Sequence, residues 1–291
     1  MSDNLNILIM GGDARYLEVI RKLSNEVAKL YLIGYDQLTF DEKHVKQTTM
    51  ETVDFGIIDA IILPVAGTNE DGKIETMYSD EVISLTEDVV RQTPNHCTIY
   101  TGNANAYLKN ITHDKQLVAL FYRDDLAVYN SIPTAEGALK LIMEQTDVTV
   151  HGSNVMILGF GRVGKTVVNL FSSVGANVRV AVRKSADIAR VTEMGLTPVK
   201  LEKLEQEIVG MDTVINTIPH PVIDADIIAA METSTLIVDI ASAPGGTDFA
   251  FAKTHGIKAM HALGLPGKTA PKSAGRIIGN VLLELLRKQK K

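Results

Sequence analysis

The chain has 291 residues, 45% of them hydrophobic and 22% charged, with a net charge of −6. That length suggests about two domains with ample core, and the acidic balance argues against nonspecific nucleic-acid binding, which needs a basic surface. No apolar run approaches the roughly 18 residues of a membrane span, and MSDNLNILIM lacks a basic leader, so a soluble, cytoplasmic protein without nucleic-acid or membrane partners is expected.

In chain order, strand and helix signals alternate. Asn6–Met10 reads as a strand running into Gly11-Gly12-Asp13, and Ala14–Leu23 as a helix with Leu17, Ile20 and Leu23 on one side. Lys29–Ile33 and Ala60–Pro64 follow as strands, Ser84–Gln92 as a helix, and Cys97–Tyr100 and Leu117–Tyr122 as strands. Cys97 is the single cysteine; it excludes an internal disulfide and reads as an inert, buried thiol.

Pro133–Gln145 is a strong helix signal, with Ser131 or Thr134 as cap, proline in the first turn, and Ala138, Leu141 and Ile142 on one face. A second alternating set begins near Asn154. Val155–Leu158, Asn177–Val182, Thr213–Asn216, Leu236–Ile240 and Lys258–Ala262 are strands. Gly164–Val174, Ile188–Met194 and Ala225–Ala230 are helices, and Ala270–Arg287 is a long closing helix. The basic end Arg287–Lys291 reads as a solvated helix terminus.

Such alternation implies an α/β fold of two Rossmann-like, doubly wound parallel-sheet domains around a cleft, linked by helices. The expected boundaries are a substrate domain over 1–131, an inter-domain helix over 132–150, a nucleotide-binding domain over 151–270, and a closing helix over 271–291 packing back across the domains.

ILGFGRVGK (Ile157–Lys165) carries G-x-G-x-x-G between an apolar strand and an amphipathic helix. In that setting Gly159 permits the turn, Gly161 lets a diphosphate approach, and Gly164 allows close helix packing, while Phe160, Arg162 and Val163 complete the loop. About twenty residues further on, where NAD-binding units hold an acidic residue for the ribose hydroxyls, stand Arg183, Lys184 and Ser185. A guanidinium there matches a 2′-phosphate, and the absent carboxylate removes the repulsion, so NADP is the expected cofactor.

Ligands of open α/β sheets gather at strand C-ends. Thr217, Ile218 and Pro219, then Asp239 and Ala241, then Leu265 are thus expected near the nicotinamide, with His220 and His261 as candidate acid–base groups. Lys268 lies in a Gly/Pro loop at the start of the closing helix and suits a substrate carboxylate. In the first domain, Gly11-Gly12-Asp13 lacks the third glycine of a nucleotide loop. Gly12, Asn103 and Thr134, together with Glu136, are expected to face the cleft from that side.

ILIMGGDARY (Ile7–Tyr16), IPTAEGALKLIME (Ile132–Glu144), VMILGFGRVGKTVV (Val155–Val168) and GLPGKTAPKSAGRIIGN (Gly264–Asn280) together resemble the A subunits of dipicolinate synthase from spore-forming bacteria, over essentially the whole length. The resemblance implies a build like two-domain D-2-hydroxyacid and alanine dehydrogenases. It also implies an NADP-linked oxidation of a lysine-pathway intermediate, 4-hydroxy-tetrahydrodipicolinate or its dihydro form, to pyridine-2,6-dicarboxylate in the mother cell during sporulation. A flavoprotein-like B subunit would be a partner, and a homo-oligomer is expected, with no metal.

A dicarboxylate substrate calls for cations; Lys268, Arg123 and Arg15 are candidates. The base stays open among Glu136, His220 and His261. Two other readings remain: a 2-hydroxyacid or alanine-type dehydrogenase, and a non-catalytic NADP-binding regulatory subunit. The Arg…Glu…His constellation of the hydroxyacid enzymes has no convincing positions here.

Overall fold

The computed structural model describes residues 2–288; of the basic end, residues 289–291 lie outside them. The chain divides into two compact units, Met1–Ala127 with Pro271–Lys291, and Val128–Ala270.

Unit 1 runs through β1 (Ser2–Met10), α1 (Ala14–Leu23), β2 (Val27–Ile33), β3 (Val45–Gln47), β4 (Ala60–Ile62), the two-stranded hairpin β5 (Lys73–Ile74) and β6 (Ile83–Ser84), α2 (Glu87–Gln92), β7 (Thr98–Thr101), α3 (Ala106–Ile111) and β8 (Gln116–Ala119). Its main sheet has the order β3-β2-β1-β4-β7-β8 with every pair parallel. The period of two in β1 explains its central place: Leu5, Ile7 and Ile9 enter one core cluster, Leu8 and Met10 the other.

Helix α4 (Asp124–Gln145) carries the chain across the division between the units. Unit 2 then follows with β9 (Asn154–Leu158), α5 (Arg162–Ser173), β10 (Asn177–Val182), α6 (Ser185–Glu193), β11 (Thr197–Lys200), α7 (Leu204–Glu207), β12 (Thr213–Asn216), α8 (Ala225–Ala229), β13 (Leu236–Asp239), α9 (Phe249–His255), β14 (Lys258–His261) and α10 (Leu265–Thr269). Its sheet is again parallel throughout, in the order β11-β10-β9-β12-β13-β14. Val155 and Ile157 of β9 face one cluster, Met156 and Leu158 the other. Two parallel-sheet α/β units are therefore present, each wound in both directions from a central strand. Among the described residues no helix is long and apolar enough to cross a membrane.

Several local expectations need correction. The helix expected from Pro133 starts at Asp124, and Pro133 lies inside it. Proline removes one ladder donor, yet nearby hydroxyls supply bonds to neighbouring carbonyls: Ser131 Oγ donates to Val128 O (2.6 Å) and Thr134 Oγ1 to Asn130 O (2.8 Å). Ser131 and Thr134 therefore do not cap the helix; Asp124 and Asp125 occupy its first turn, where carboxylates favour the dipole. The helix expected from Ser84 begins only at Glu87, because Thr86 caps it by accepting the Val89 N–H. Lys268 sits not at the start of the closing helix but in α10, separate from α11 (Pro271–Lys288).

Helix α11 belongs to unit 1, where it lies along α1. A Cβ on Gly275 would fall 2.2 Å from the Arg15 carbonyl oxygen, so the two helices touch backbone to backbone. Glu18 on α1 is buried and accepts from Arg21 and from Arg276 Nε of α11 (2.9 Å). Hydrogen bonds from Arg21 and then Arg276 outweigh its burial and hold its carboxyl down at about 2, against an ordinary 4.5. A carboxyl depressed in the folded state stabilises above its unfolded pKa and loses that contribution as pH falls toward about 2. Glu18→Gln is expected to remove on the order of 1–2 kcal/mol at neutral pH, both guanidiniums being half exposed and screened. It should also flatten the acid limb of stability below pH 4.5, measured by urea unfolding at stepped pH.

Candidate active site

The site in unit 2 begins with an apolar strand that must turn sharply. β9 ends at Leu158, and Gly159 follows with φ +95°, a conformation side chains rarely adopt; a Cβ there would also meet Thr217 Oγ1 at 2.5 Å. Thr217 secures the turn from β12, donating N–H (3.0 Å) and Oγ1 (2.8 Å) to the Leu158 carbonyl. Helix α5 then starts with Gly161 as a cap that offers no side-chain acceptor. Its first amides are thus without an intrahelical partner, and a Cβ on Gly161 would meet no protein atom within 4 Å. Gly164 is different: a Cβ there would lie 2.3 Å from the Gly159 carbonyl oxygen. An open face at Gly161 above helix amides that lack an intrahelical partner fits a dinucleotide diphosphate, and the residues present fit that group.

The side chains beside the loop divide in role. Phe160 is buried in the unit 2 core, and its ring carries the Lys165 ammonium 5.4 Å from the centroid. Val163 is half buried and Arg162 exposed. At the end of β10, Arg183, Lys184 and Ser185 are all exposed, with Lys184 at the cap of α6. Arg183 and Ser185 share a groove of about 360 Å³ with Val182, Ile188, Lys200, Leu201 and Glu202. Lys200 is the register partner of Val182 across β10 and β11. This second cation is absent from the expected site residues because β11 is absent from the expected strands; the alternation in TPVK is the signal that could have found it.

Two buried polar residues shape the loops at the other strand ends. Asn216 Oδ1 accepts the Ile218 N–H (2.9 Å), and Asn216 Nδ2 donates to the Ile218 carbonyl (3.0 Å). This holds Thr217, Ile218 and Pro219 in one conformation, with His220 exposed beyond them. Asp239 is fully buried, and its carboxylate accepts the N–H groups of Ala241 (3.0 Å) and Gly246 (2.7 Å) and the Thr247 hydroxyl (2.8 Å). Asp239 therefore organises the 241–247 loop from within, and Ala241 is buried with it.

His261, half buried at the end of β14, lies opposite Asp239 in register. Its ring stacks on Phe249 (5.5 Å, 25°), and Nε2 is 3.1 Å from the Ala241 carbonyl. A carbonyl only accepts, so Nε2 carries a hydrogen, and in the neutral tautomer that makes this bond the lone pair lies on Nδ1. His220 makes only a 3.3 Å approach of Nδ1 to the Pro221 carbonyl. Leu265 is buried against Gly137 of α4, whereas Glu136 and Lys268 are exposed.

The other expected residues find definite neighbours. Thr134 bonds within α4. In unit 1, Gly12 donates its N–H to the Glu75 carbonyl (2.9 Å) and Asn103 donates its N–H to the Val65 carbonyl (2.9 Å). Arg15 is clamped on Asp13 through Nε (2.9 Å) and Nη2 (2.5 Å). Burial opposes both charges, but their pairing lowers the Asp13 pKa and raises that of Arg15. Arg123 is paired with Asp125 through Nε (3.0 Å) and Nη2 (2.6 Å). Burial pushes the Cys97 thiol up to about 11, so a thiolate nucleophile is absent there at neutral pH.

A parallel sheet with an open helix N-terminus at its reversal point is the frame of a nucleotide-binding domain. Residues 135–247 match the D-isomer specific 2-hydroxyacid dehydrogenase NAD binding domain, and residues 6–122 the N-terminal domain of the dipicolinate synthase A subunit. The chain is 47% identical over 288 residues to the A subunit of dipicolinate synthase from Bacillus subtilis (strain 168), covering 98% of this chain and 97% of that one. It superposes with a TM-score of 0.96 on the crystal structure of the dipicolinate synthase A subunit from Bacillus halodurans, at 48% identity and covering 98% and 99% of the two chains. The transhydrogenase from Sinorhizobium meliloti shares the fold alone, at 13% identity, a TM-score of 0.68 and coverage of 97% and 93%. The chain belongs to the family of dipicolinate synthase A subunits.

Gly164→Ala is expected to push α5 off the Gly159 carbonyl. A loss of at least tenfold in nicotinamide-dinucleotide affinity should result, with a stability loss of about 1–3 kcal/mol, measured by titration calorimetry and urea unfolding.

Proposed function

We propose that the chain catalyses an NADP-linked two-electron oxidation to pyridine-2,6-dicarboxylate, either of the dihydro compound or of 4-hydroxy-tetrahydrodipicolinate with loss of one water. Membership of the family supports the substrate class. The cofactor choice is carried by one observation: β10 ends at Val182 and is followed by Arg183 instead of a carboxylate, in a groove that also holds Lys200. In this reading Gly159, Gly161 and Gly164 leave room for the diphosphate, and the amides of Arg162, Val163 and Gly164 receive it. Arg183, Lys184 and Ser185 hold the 2′-phosphate, since a guanidinium pairs with it bidentately. Asn216 and Asp239 act indirectly by fixing the loops of Thr217–Pro219 and Ala241. Held by these residues, a nicotinamide would supply the acceptor for a hydride leaving a ring carbon of the substrate.

His261 is the base in this reading. Its Nε2–H is held by the Ala241 carbonyl and its ring by Phe249, so Nδ1 is presented in a fixed direction. His220 and Glu136, both exposed, lack such orientation. Lys268 is exposed on α10 and suits one substrate carboxylate. The Arg15 and Arg123 guanidiniums are already paired with carboxylates in unit 1, and so are weaker anchors. The relatives are each one lettered component of dipicolinate synthase, which supports a B-subunit partner. A homo-oligomer in the cytoplasm of a sporulating cell is consistent with it.

Two experiments test this reading. In the unmodified chain NADP should bind more tightly than NAD, and Arg183→Asp should weaken NADP by about 1–3 kcal/mol with little change for NAD. Equal affinities in the unmodified chain overturn the cofactor choice. Separately, His261→Gln should lower kcat with freshly made hydroxy-tetrahydrodipicolinate by roughly 10²–10⁴-fold, leaving NADP affinity intact. An unchanged kcat places the base elsewhere.

A further inference from the structure

Among the described residues, Thr68 Oγ1 and Asn130 Oδ1 are the buried side-chain polar atoms without a hydrogen-bond partner. Leaving such an atom unpaired is unfavourable, and native proteins satisfy it with an ordered water, an ion or a ligand group. Thr68 is only 5% exposed, and it lines a cavity of about 320 Å³ in unit 1, with Ala66, Gly67, Asn69, Lys73 and Glu75 in the same wall. That volume is at the lower end of the roughly 300–1,000 Å³ of small-molecule pockets.

The position is set by topology. In the unit 1 sheet, connections run one way from β1 to β2 and β3, and the other way from β4 to β7 and β8. The C-ends of β1 and β4 therefore flank the reversal point, where open α/β sheets take their ligands. The loop after β4 supplies Thr68. The β5–β6 hairpin supplies Lys73 and Glu75, and is seated on the β1 end: Gly12 N–H donates to the Glu75 carbonyl, and Gly12 O accepts the Met77 N–H (3.1 Å).

The walls are tied. Thr68 and Ile74 form an antiparallel bridge, and the Thr68 carbonyl accepts Asn105 Nδ2 (2.8 Å). Asn69 Oδ1 accepts the N–H groups of Asp71 (2.9 Å) and Lys73 (2.8 Å). Lys73 is exposed and makes no ion pair among the described residues.

We propose that this cavity binds a carboxylate of a small organic acid, with the Lys73 ammonium as its counter-ion and the Thr68 hydroxyl as a donor after rotation about χ1. One ammonium and one hydroxyl, with Glu75 in the same wall, suit a single carboxylate group of an acid better than a phosphate group that concentrates nearly two charges at one point. The inference rests on the proposed function only in naming pyridine-2,6-dicarboxylate as the acid.

Calorimetric titration of the full chain with pyridine-2,6-dicarboxylate, succinate and inorganic phosphate tests it. Lys73→Met should weaken dicarboxylate binding at least tenfold. Thr68→Val should weaken it severalfold and Thr68→Ser should restore it. Glu75→Gln should strengthen it, because a repelling charge is removed. NADP affinity and the thermal midpoint should stay those of the unmodified chain. If pyridine-2,6-dicarboxylate fails to bind while succinate binds and responds to Lys73→Met and Glu75→Gln in opposite directions, the pocket stands and the dipicolinate reading fails. If Lys73→Met and Glu75→Gln leave carboxylate binding unchanged, if phosphate alone binds, or if no carboxylate binds the unmodified chain, the pocket assignment is overturned.

Discussion

Helix α5 begins where it does because Gly164 has no side chain to keep it off the Gly159 carbonyl. This close approach brings the first turn of α5 against the end of β9, and with it the first-turn amides that lack an intrahelical partner. Everything proposed for the dinucleotide follows from that approach. The open face at Gly161 lies over those amides, Thr217 braces the turn from the neighbouring strand, and β10 delivers Arg183 one strand further out.

The same logic appears where side chains are buried polar. Asn216 and Asp239 sit at the register-paired ends of β12 and β13. Each bonds to backbone groups of the loop that follows it, so two irregular segments are held from below by the sheet. The Asp239 carboxylate accepts three donors within its own loop, and its value to a cofactor is the shape of that loop. His261 completes the row at the end of β14, and its Nε2–H closes onto Ala241 of the loop that Asp239 shapes. The candidate base is thereby oriented by the same scaffold that would place the nicotinamide.

Alternation of short apolar strands and amphipathic helices is legible in the sequence, and so is the glycine loop, because both depend on local pattern. The two-unit α/β architecture follows from those. What escapes a sequence reading is non-local. Helix α4 runs through Pro133, with the Ser131 and Thr134 hydroxyls bonded to the Val128 and Asn130 carbonyls inside it, whereas local propensity reads proline as a beginning. β11 is four residues long and contains a proline, so only its pairing with β10 sets Lys200 beside Arg183. The β5–β6 hairpin is shorter still, and only its seating on Gly12 gives it meaning.

Arg15 and Lys73 show why charge alone is a poor guide to anchors. Both are cations near the β1 end of unit 1. Arg15 lies directly after the glycine pair and looks the better candidate in sequence. Its guanidinium is held by Asp13, the residue that also caps α1, so detaching it would leave a partly buried carboxylate without its partner. Lys73 has no such obligation, and its backbone is pinned by Asn69 while its ammonium is not. An anion arriving at Lys73 would meet no carboxylate paired with the ammonium among the described residues, whereas one arriving at Arg15 must compete with a bidentate carboxylate. Where recognition of an acid is concerned, the cation that the fold leaves unpaired is the one that matters.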